Sequence, residues 1–485
     1  MRWDAMKKNI SVINIGPEIF LPALQATGSP FTNLAWKPPA QGDTELIDIL
    51  FALSVRFRDA SGNSLIQTAN EEALRRIVTG SPVLRRVRPA HECIPALNKT
   101  TILHAGPPIH WKDMCGPMQG AILGALQYEK LADSAAEAEA LMESGSIFYG
   151  PTYPHGAVAP MAGIISYSMP LLVVENETYG NQAYAPLNEG SGQVLRFGAN
   201  APAVLARLRW MEESLAVVLD AALHKAGGVN LKSIMAQALS MGDEMHQRNI
   251  AASLLFYKSL CCELEQSARD RKEAQQILEF MVRENDQFFL NIAMAACRSM
   301  MDPARGIPYS SVITAMSRNG VQFGITISAL GDRWFTAPSQ QLHALYFPGF
   351  SEDDACLDMG DSAIIESCGL GGCAMGAAPA VARLLNRADN PPNILAHSSD
   401  MSRICVGANP DFPLPHRDFA GIPTAMDLCR IVATRTLPVI TSGVAHKRGG
   451  VGQVGTGFVT PPIEVMRAAL RYFYSQLLTQ SKFAP

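Results

Sequence analysis

Apolar positions recur along this chain with two different periods, and the changes from one to the other divide it into regions. Near the N-terminus SVINIG reads as a buried strand, Pro17 to Thr27 as a helix entered through its proline, and PFTNLAW as a second strand, together a βαβ unit. Helical spacing follows over Asp43 to Arg58 and over Leu65 to Ile77, the second stopped by Gly80 and Pro82. TILHAG is a strand ending in glycine, and beyond the turn PPIHWKDMCGP an alanine-rich helix spans Met118 to Leu131. SIFYG and the run Ile164 to Val174 predict strands of a mixed sheet, with ENETYGN as the turn between LLVV and QAYAPL.

From Ala201 to about Met301 the period is helical throughout, giving Val204 to Ala222, Leu231 to Met241, Asp243 to Leu264 and Glu273 to Met301. VQFGITIS and RWFTAP restore strand character. A closing helix runs from Pro461 to about Leu478, capped by Thr460. The expected organisation is an α/β and α+β multidomain chain: a βαβ-containing domain over 1–110, a first α+β domain over 111–200, a helical insert over 201–302, and a second α+β domain over 303–485.

Composition narrows the function. Of 485 residues 48% are apolar and 17% charged, so the chain has a large interior. Forty Lys and Arg against 44 Asp and Glu leave a net charge of −4, which offers no footprint for nucleic acid or for an anionic membrane; any anion site must be local. The uncharged run Ser144 to Val174 is cut by Pro151, Pro154, Pro160 and Pro170 and cannot be a membrane helix. The ten cysteines show no C-x-x-C pair and read as reduced thiols, and no basic segment followed by an apolar one opens the chain; both point to a soluble, cytoplasmic protein.

Candidate chemistry concentrates in a few stretches. In DMGDSAIIESCGLGGCAMGAAP, Asp358, Asp361 and Glu366 precede the glycines Gly369, Gly371 and Gly372, which read as an anion cradle or as a tight turn. GDEMHQRN sets Asp243 as a helix cap three residues before His246, with Arg248 behind; no third or fourth ligand accompanies them, so no metal and no tightly bound zinc are expected. Arg318 and Asn319 in MSRNG, and Asp332 and Arg333 in LGDRWF, end strand-like runs, where arginines clamp carboxylate or phosphate or else form a cross-strand ion pair such as Arg318 with Asp332. His446, Lys447 and Arg448 lead into a glycine loop suited to closing over an anion, or to a solvated basic turn. Glu175, Asn176, Asn188 and Glu189 suit a ureido or amide group from behind the residues that touch it, while Arg75, Arg76, Arg85, Arg86 and Arg88 form a solvated or subunit-facing edge. Gly16 stands alone and Gly450, Gly452 and Gly455 precede no helix, so neither glycine motif is a nucleotide fingerprint and no cofactor is called for.

Taken in order, INIGPEIF, WKPPAQGD, LHAGPPIHW, PMAGI, LLVVENETYGN, LNEGSGQVLRFG, MGDEMHQRN, MSRNG, LGDRWFTAP, DMGDSAIIE and SGVAHKRGGVGQVG resemble the YlbE/YahG-like family, over about Thr100 to Gly457 and the N-terminal βαβ unit. The resemblance implies a Rossmann-like N-terminal domain, α+β domains and a small helical domain. It also implies a carbamoyltransferase subunit of allantoin and ureide nitrogen catabolism, associated with FdrA-like subunits and with itself as an oligomer. The substrates implied are carbamoyl phosphate or phosphate and an oxamate-like or ureido acid. No S-T-R-T-R phosphate motif is present near the N-terminus, so a phosphate site of another build, or a structural or acceptor-binding role beside an FdrA-like partner, is left open. The family supplies no catalytic residues to carry over. From chemistry alone Arg318, Arg333, Asp361 and His446 are expected to converge on one cleft beside Gly371 and Gly372, with Asn319, Lys447, Arg248, His246, Glu175 and Asn176 binding substrate.

Overall fold

The computed structural model describes residues 11–482, apart from 16–17, 29, 35–36, 96 and 388–392. β1 (Val12–Ile15) and β2 (Phe31–Leu34) pair in parallel around the helix Leu21–Ala26, and among the described residues their sheet has these two strands only. The helix buries no residue, and Ile13, Ile15 and Leu34 on the sheet stay exposed. The lone Gly16 and the expected helix entry at Pro17 lie outside the described residues.

α1 (Thr44–Arg56) and α2 (Leu65–Thr79) start where Asp43 and Ser64 accept hydrogen bonds from Leu46 N and Gln67 N, which meets two of the donors a helix start leaves open. There follow β3 (Pro82–Pro89), β4 (Thr101–His104), α3 (Gly116–Tyr128), α4 (Ala135–Glu143), β5 (Phe148–Pro151), β6 (Ile164–Ile165), β7 (Pro170–Asn176) and β8 (Gln182–Pro186). β3 pairs antiparallel with β7, setting Leu84 opposite Val174 and Val87 opposite Leu172, so strand pairing crosses the boundary expected near residue 110. β4 pairs with β5 in parallel and with β6 antiparallel. The single strand expected over Ile164 to Val174 is therefore two strands in two sheets.

The helical stretch holds α5 (Pro202–Trp210), which passes through the wider turn Met211–Leu215 into α6 (Ala216–Ala226), then β9 (Val229–Asn230), α7 (Leu231–Ser240), α8 (Ile250–Ser267), α9 (Arg271–Glu279) and α10 (Phe289–Met301). Every residue of α10 except Leu290 is buried, Asn291, Arg298 and Ser299 included, and this helix runs through the largest core together with β7 and α8. Two expected helices are interrupted. The one placed at Asp243 begins only at Ile250, because Met245 has φ 78° and Asp243 caps from a distance, its carboxylate accepting from Ala252 N at 2.9 Å. The one placed over Glu273 to Met301 breaks at Asn285, whose side chain donates to Asn188 O at 2.9 Å.

The remainder comprises β10 (Ile313–Asn319), β11 (Gln322–Ile327), β12 (Phe335–Pro338), β13 (His343–Tyr346), β14 (Met359–Gly360), β15 (Cys405–Leu414), β16 (Ala420–Met426), β17 (Ile440–Ala445), β18 (Gln453–Val459) and α11 (Ile463–Lys482). One sheet has the order β12-β11-β10-β14, another β13-β18-β17, and β15 pairs with β16. The architecture is mixed α+β, with several small sheets and many helices around three large cores. No described helix is long and apolar enough to cross a membrane, and all ten cysteines are free thiols.

Candidate active site

A cavity of about 130 Å³ opens between Met161 of one core and Leu290 at the edge of another. That is below the roughly 300–1,000 Å³ of sites for drug-sized ligands and suits a metabolite of a few heavy atoms. Its walls come from distant parts of the chain: Met161 and Arg196; His246, Gln247 and Gln287 from the two helix interruptions; Ser362, Ser442 and Gln453 from around β14, β17 and β18. The interruptions are fastened to each other, Asn249 N donating to Gln287 Oε1 at 3.0 Å and Gln287 Nε2 to Gln247 O at 3.3 Å. Non-helical backbone at this depth is what turns His246 and Gln247 toward the cavity instead of along a helix face.

His246 is buried, and its Nδ1 lies 2.8 and 3.0 Å from the two oxygens of Glu366. Glu366 also accepts from Gly372 N at 2.9 Å, Thr441 N at 3.2 Å and Thr441 Oγ1 at 3.2 Å. Nδ1–H therefore donates, and Nε2 is the ring nitrogen left for the cavity. Below this pair lies Glu244, fully buried, accepting from Arg248 N at 2.7 Å, with the Thr441 hydroxyl 3.3 Å away sharing its one hydrogen between Glu244 and Glu366. Burial, more than the neighbouring Glu366, pushes Glu244 up to about 7. The glycine run thus does cradle an anion, but a protein one. Gly371, at φ 60°, passes so close that a Cβ there would stand 2.2 Å from Glu366 Oε1, leaving room only for glycine.

Arg318 is fully buried and forks onto Asp358 at 2.6 and 2.9 Å, with Gly360 O at 2.9 Å. Its remaining reach goes to Ser442 Oγ at 3.3 Å and Ser362 Oγ at 3.5 Å. A hydroxyl that accepts from Arg318 has its own hydrogen to give, so two donors point from this guanidinium toward the cavity. Gln247 gives its amide hydrogens to Ser442 O (2.5 Å) and Gly457 O (3.2 Å) and Gln453 gives one to Gly455 O (2.9 Å), which leaves each carbonyl oxygen as an acceptor at the wall.

Arg196 is 8% exposed, donates through Nη2 to Gly190 O at 3.0 Å and lies 4.4 Å from the centroid of the Phe197 ring. Its Nε has no hydrogen-bond partner. Burial lowers its guanidinium to about 10, against the neighbouring Glu189, which opposes the shift. Glu189 itself is occupied, accepting from Leu195 N at 2.7 Å and Arg196 N at 3.2 Å.

The expected single cleft of Arg318, Arg333, Asp361 and His446 is not formed. Asp361 is a buried tie, accepting from Gly106 N (2.8 Å), Thr152 Oγ1 (2.7 Å), Ala159 N (2.9 Å) and Ser317 Oγ, so its lone pairs are taken. Arg333 is on the surface, 3.9 Å from the Tyr472 ring centroid and donating to the Tyr472 hydroxyl, while Asp332 pairs with Arg305 instead of Arg318. His446 accepts from Arg448 N at 2.9 Å and stands 3.7 Å from Asp354, and exposed Lys447 reaches Asp353 O, so this turn closes on itself and neither side chain lines the cavity. Asn319 shapes the β10–β11 turn through Val321 N and Gln322 N, and Asn176 holds Ser81 N and Thr178 N; both are structural. Glu175 pairs with Arg85 at the surface, where Arg75 pairs with Glu72 and Arg86 with Asp220. Arg248 holds Asp243 at 3.1 Å. Of the expected binding residues, His246 alone lines the cavity, with Gly371 and Gly372 one layer behind it.

The sequence reading missed Arg196, Glu244, Gln247, Ser362, Ser442 and Gln453. Arg196 lies in LNEGSGQVLRFG and Glu244 and Gln247 in GDEMHQRN, both singled out as runs, but their roles follow from long-range contacts that no local spacing encodes. Among the described residues no group of three or more His, Cys, Asp and Glu is arranged to hold a metal ion.

Three comparisons bear on this site. The sequence model of the family "Oxamate carbamoyltransferase subunit AllG" matches residues 147–362, which include Met161, Arg196, His246, Gln247, Gln287 and Ser362 of the wall. The chain is 44% identical to the oxamate carbamoyltransferase subunit AllG of Escherichia coli over 407 residues, 84% of this chain and 97% of AllG. It is 40% identical to the uncharacterized protein YahG of Escherichia coli over 470 residues, 97% of this chain and 98% of YahG. A crystal structure of a conserved protein of unknown function from Enterococcus faecalis superposes with a TM-score of 0.82 at 41% identity, covering 85% of this chain and 98% of that one.

Proposed function

The chain belongs to the family of AllG and YahG, and from that premise we propose that it is a subunit of a carbamoyltransferase of ureide or allantoin-type nitrogen catabolism, with the cavity at His246 as its reaction site. The group moved is a carbamoyl unit, exchanged between phosphate and the nitrogen of an oxamate-like or ureido acid. The observation that carries the reading is a buried imidazole, backed by a carboxylate, opening into a small cavity lined with serine hydroxyls and carboxamide oxygens.

In the catabolic direction a phosphate oxygen attacks the carbamoyl carbon of an N-carbamoyl acid, and the carbonyl oxygen gains charge. The hydroxyls of Ser362 and Ser442, held by Arg318, are donors for that oxygen, in a site where fixed donors count for more than water does. The C–N bond then breaks and the departing amide nitrogen takes a proton from His246 Nε2. Glu366 keeps Nδ1–H in place and Nε2 toward the substrate, so the same pair returns as base in the reverse direction. The carbonyl oxygens of Gln247 and Gln453 accept from the ureido N–H groups. By the name of AllG, this chain works within an assembly, which we take to include FdrA-like subunits and further copies of itself in the cytoplasm, an environment that suits ten free thiols. The test is phosphorolysis of N-carbamoyl-oxamate by the chain with its co-purifying subunits. His246→Asn should lower kcat by about 100-fold or more, as loss of a proton-transfer group does. An unchanged kcat would remove His246 from the chemistry.

A further inference from the structure

Arg196 presents a problem that the protein alone does not solve. A buried guanidinium is normally met by a carboxylate and by acceptors for its five N–H groups, since a desolvated charge without partners is costly. Here, among the described residues, Arg196 forms no ion pair and its Nε–H has no acceptor, while Glu189 accepts from the backbone N–H groups of Leu195 and Arg196 and not from the guanidinium. Two spaces adjoin it. One, bounded mostly by apolar side chains such as Ile164, Met169, Leu208 and Met211 with Glu189 and Tyr128 at its wall, is only about 30 Å³ and already holds a carboxylate; the other is the His246 cavity. An anion for Arg196 therefore belongs in the second.

The charge of that cavity limits what the anion is. Arg318 is neutralised by Asp358, while Glu189, Glu244 and Glu366 stand behind the walls. Facing the cavity is one guanidinium with a free Nε–H, which suits a single carboxylate and is too little for a phosphate dianion beside it. We infer that the cavity is a half-site for the carbamoyl acceptor, a small monocarboxylate bearing an amide or ureido group anchored through its carboxylate on Arg196, and that phosphate is not held by its walls. Arg196 then sets one end of the ligand and His246 the other, with the serine and glutamine groups between.

This rests on the carbamoyl-transfer reading for the choice of oxamate as probe, and its test is calorimetry on the full chain with oxamate and with inorganic phosphate, for wild type, Arg196→Gln and Arg196→Lys. Oxamate should bind once per chain, weakened about 10–100-fold by Arg196→Gln and about fivefold or more by Arg196→Lys, whose point charge cannot reproduce the fork. Millimolar phosphate should not compete. Without ligand, Arg196→Gln should unfold at the wild-type temperature or above, because it removes a buried unpaired charge, and should lose the oxamate-induced rise. Wild-type affinity in Arg196→Gln, or competition by phosphate, overturns the inference. Oxamate binding that depends on Arg196 in a complex inactive in carbamoyl transfer would instead sink the proposed function and leave the half-site standing.

Discussion

Glu366 shows how one side chain ties backbone geometry to chemistry. Its carboxylate is held by Gly372 and Thr441 and in turn holds His246. Glu366→Gln keeps the shape but not the charge, and is expected to lower kcat about 10–100-fold with little change in KM, read in steady-state phosphorolysis. Gly371→Ala is expected to displace Glu366, since its Cβ would sit 2.2 Å from Oε1, and so to lower both the unfolding midpoint and kcat. Glu244 makes a prediction of opposite sign. Its folded value of about 7 lies above the ordinary 4.5, so between those pH values the folded chain keeps a proton that the unfolded chain releases. Stability attributable to it is full below pH 4.5 and is lost as pH rises through 7, a change on the order of 3 kcal/mol. Glu244→Gln should remove that slope in denaturant titrations at pH 5 and pH 8. The arginines separate the same way: Arg318→Lys breaks a buried fork and should destabilise the fold, whereas Arg333→Lys, at the surface, should leave stability and rate nearly unchanged. Sequence identified Arg318, Asp361, Glu366 and the glycines as unusual. It could not show that their partners are one another, because a carboxylate meant for a ligand and one meant for a backbone amide look alike in one dimension.

At the scale of elements, periodicity located most strands and helices, including the long helical stretch, the closing helix and the returns to strand at β11 and β12. It failed where function required irregularity. The segment Gly242 to Asn249 carries a helix cap, Asp243, whose position predicts the start of a helix. The cap instead reaches Ala252 N, and the intervening turn delivers Glu244, His246 and Gln247. The break at Asn285 to Phe288 was invisible because its neighbours keep helical spacing, and the anchor that stabilises it, Asn188, is 97 residues away. Asp361 holds the turns after β4 and β5 against β10, through Gly106, Thr152, Ala159 and Ser317. Asp361→Ala strands those four donors and is expected to cost about 3 kcal/mol or more in equilibrium unfolding, by leaving buried groups without acceptors.

For the molecule as a whole, small sheets and separate cores mean that no single sheet edge presents the site. The cavity takes its walls from residues as far apart in sequence as Met161 and Gln453, so sequence could supply its parts without their meeting point. Composition and local pattern did indicate a mixed α+β architecture with a helical insert. The reach of the strand pairing, such as β3 with β7, comes from long-range register that local pattern does not specify. The most direct measurement is the rate at which the assembled complex releases oxamate from N-carbamoyl-oxamate in phosphate, compared between wild type and His246→Asn at matched unfolding midpoints. A fall of about 100-fold or more in kcat with oxamate binding retained is expected of a proton-transfer group at the reaction site. An unaltered rate in the folded variant would contradict the assignment of carbamoyl transfer to this cavity.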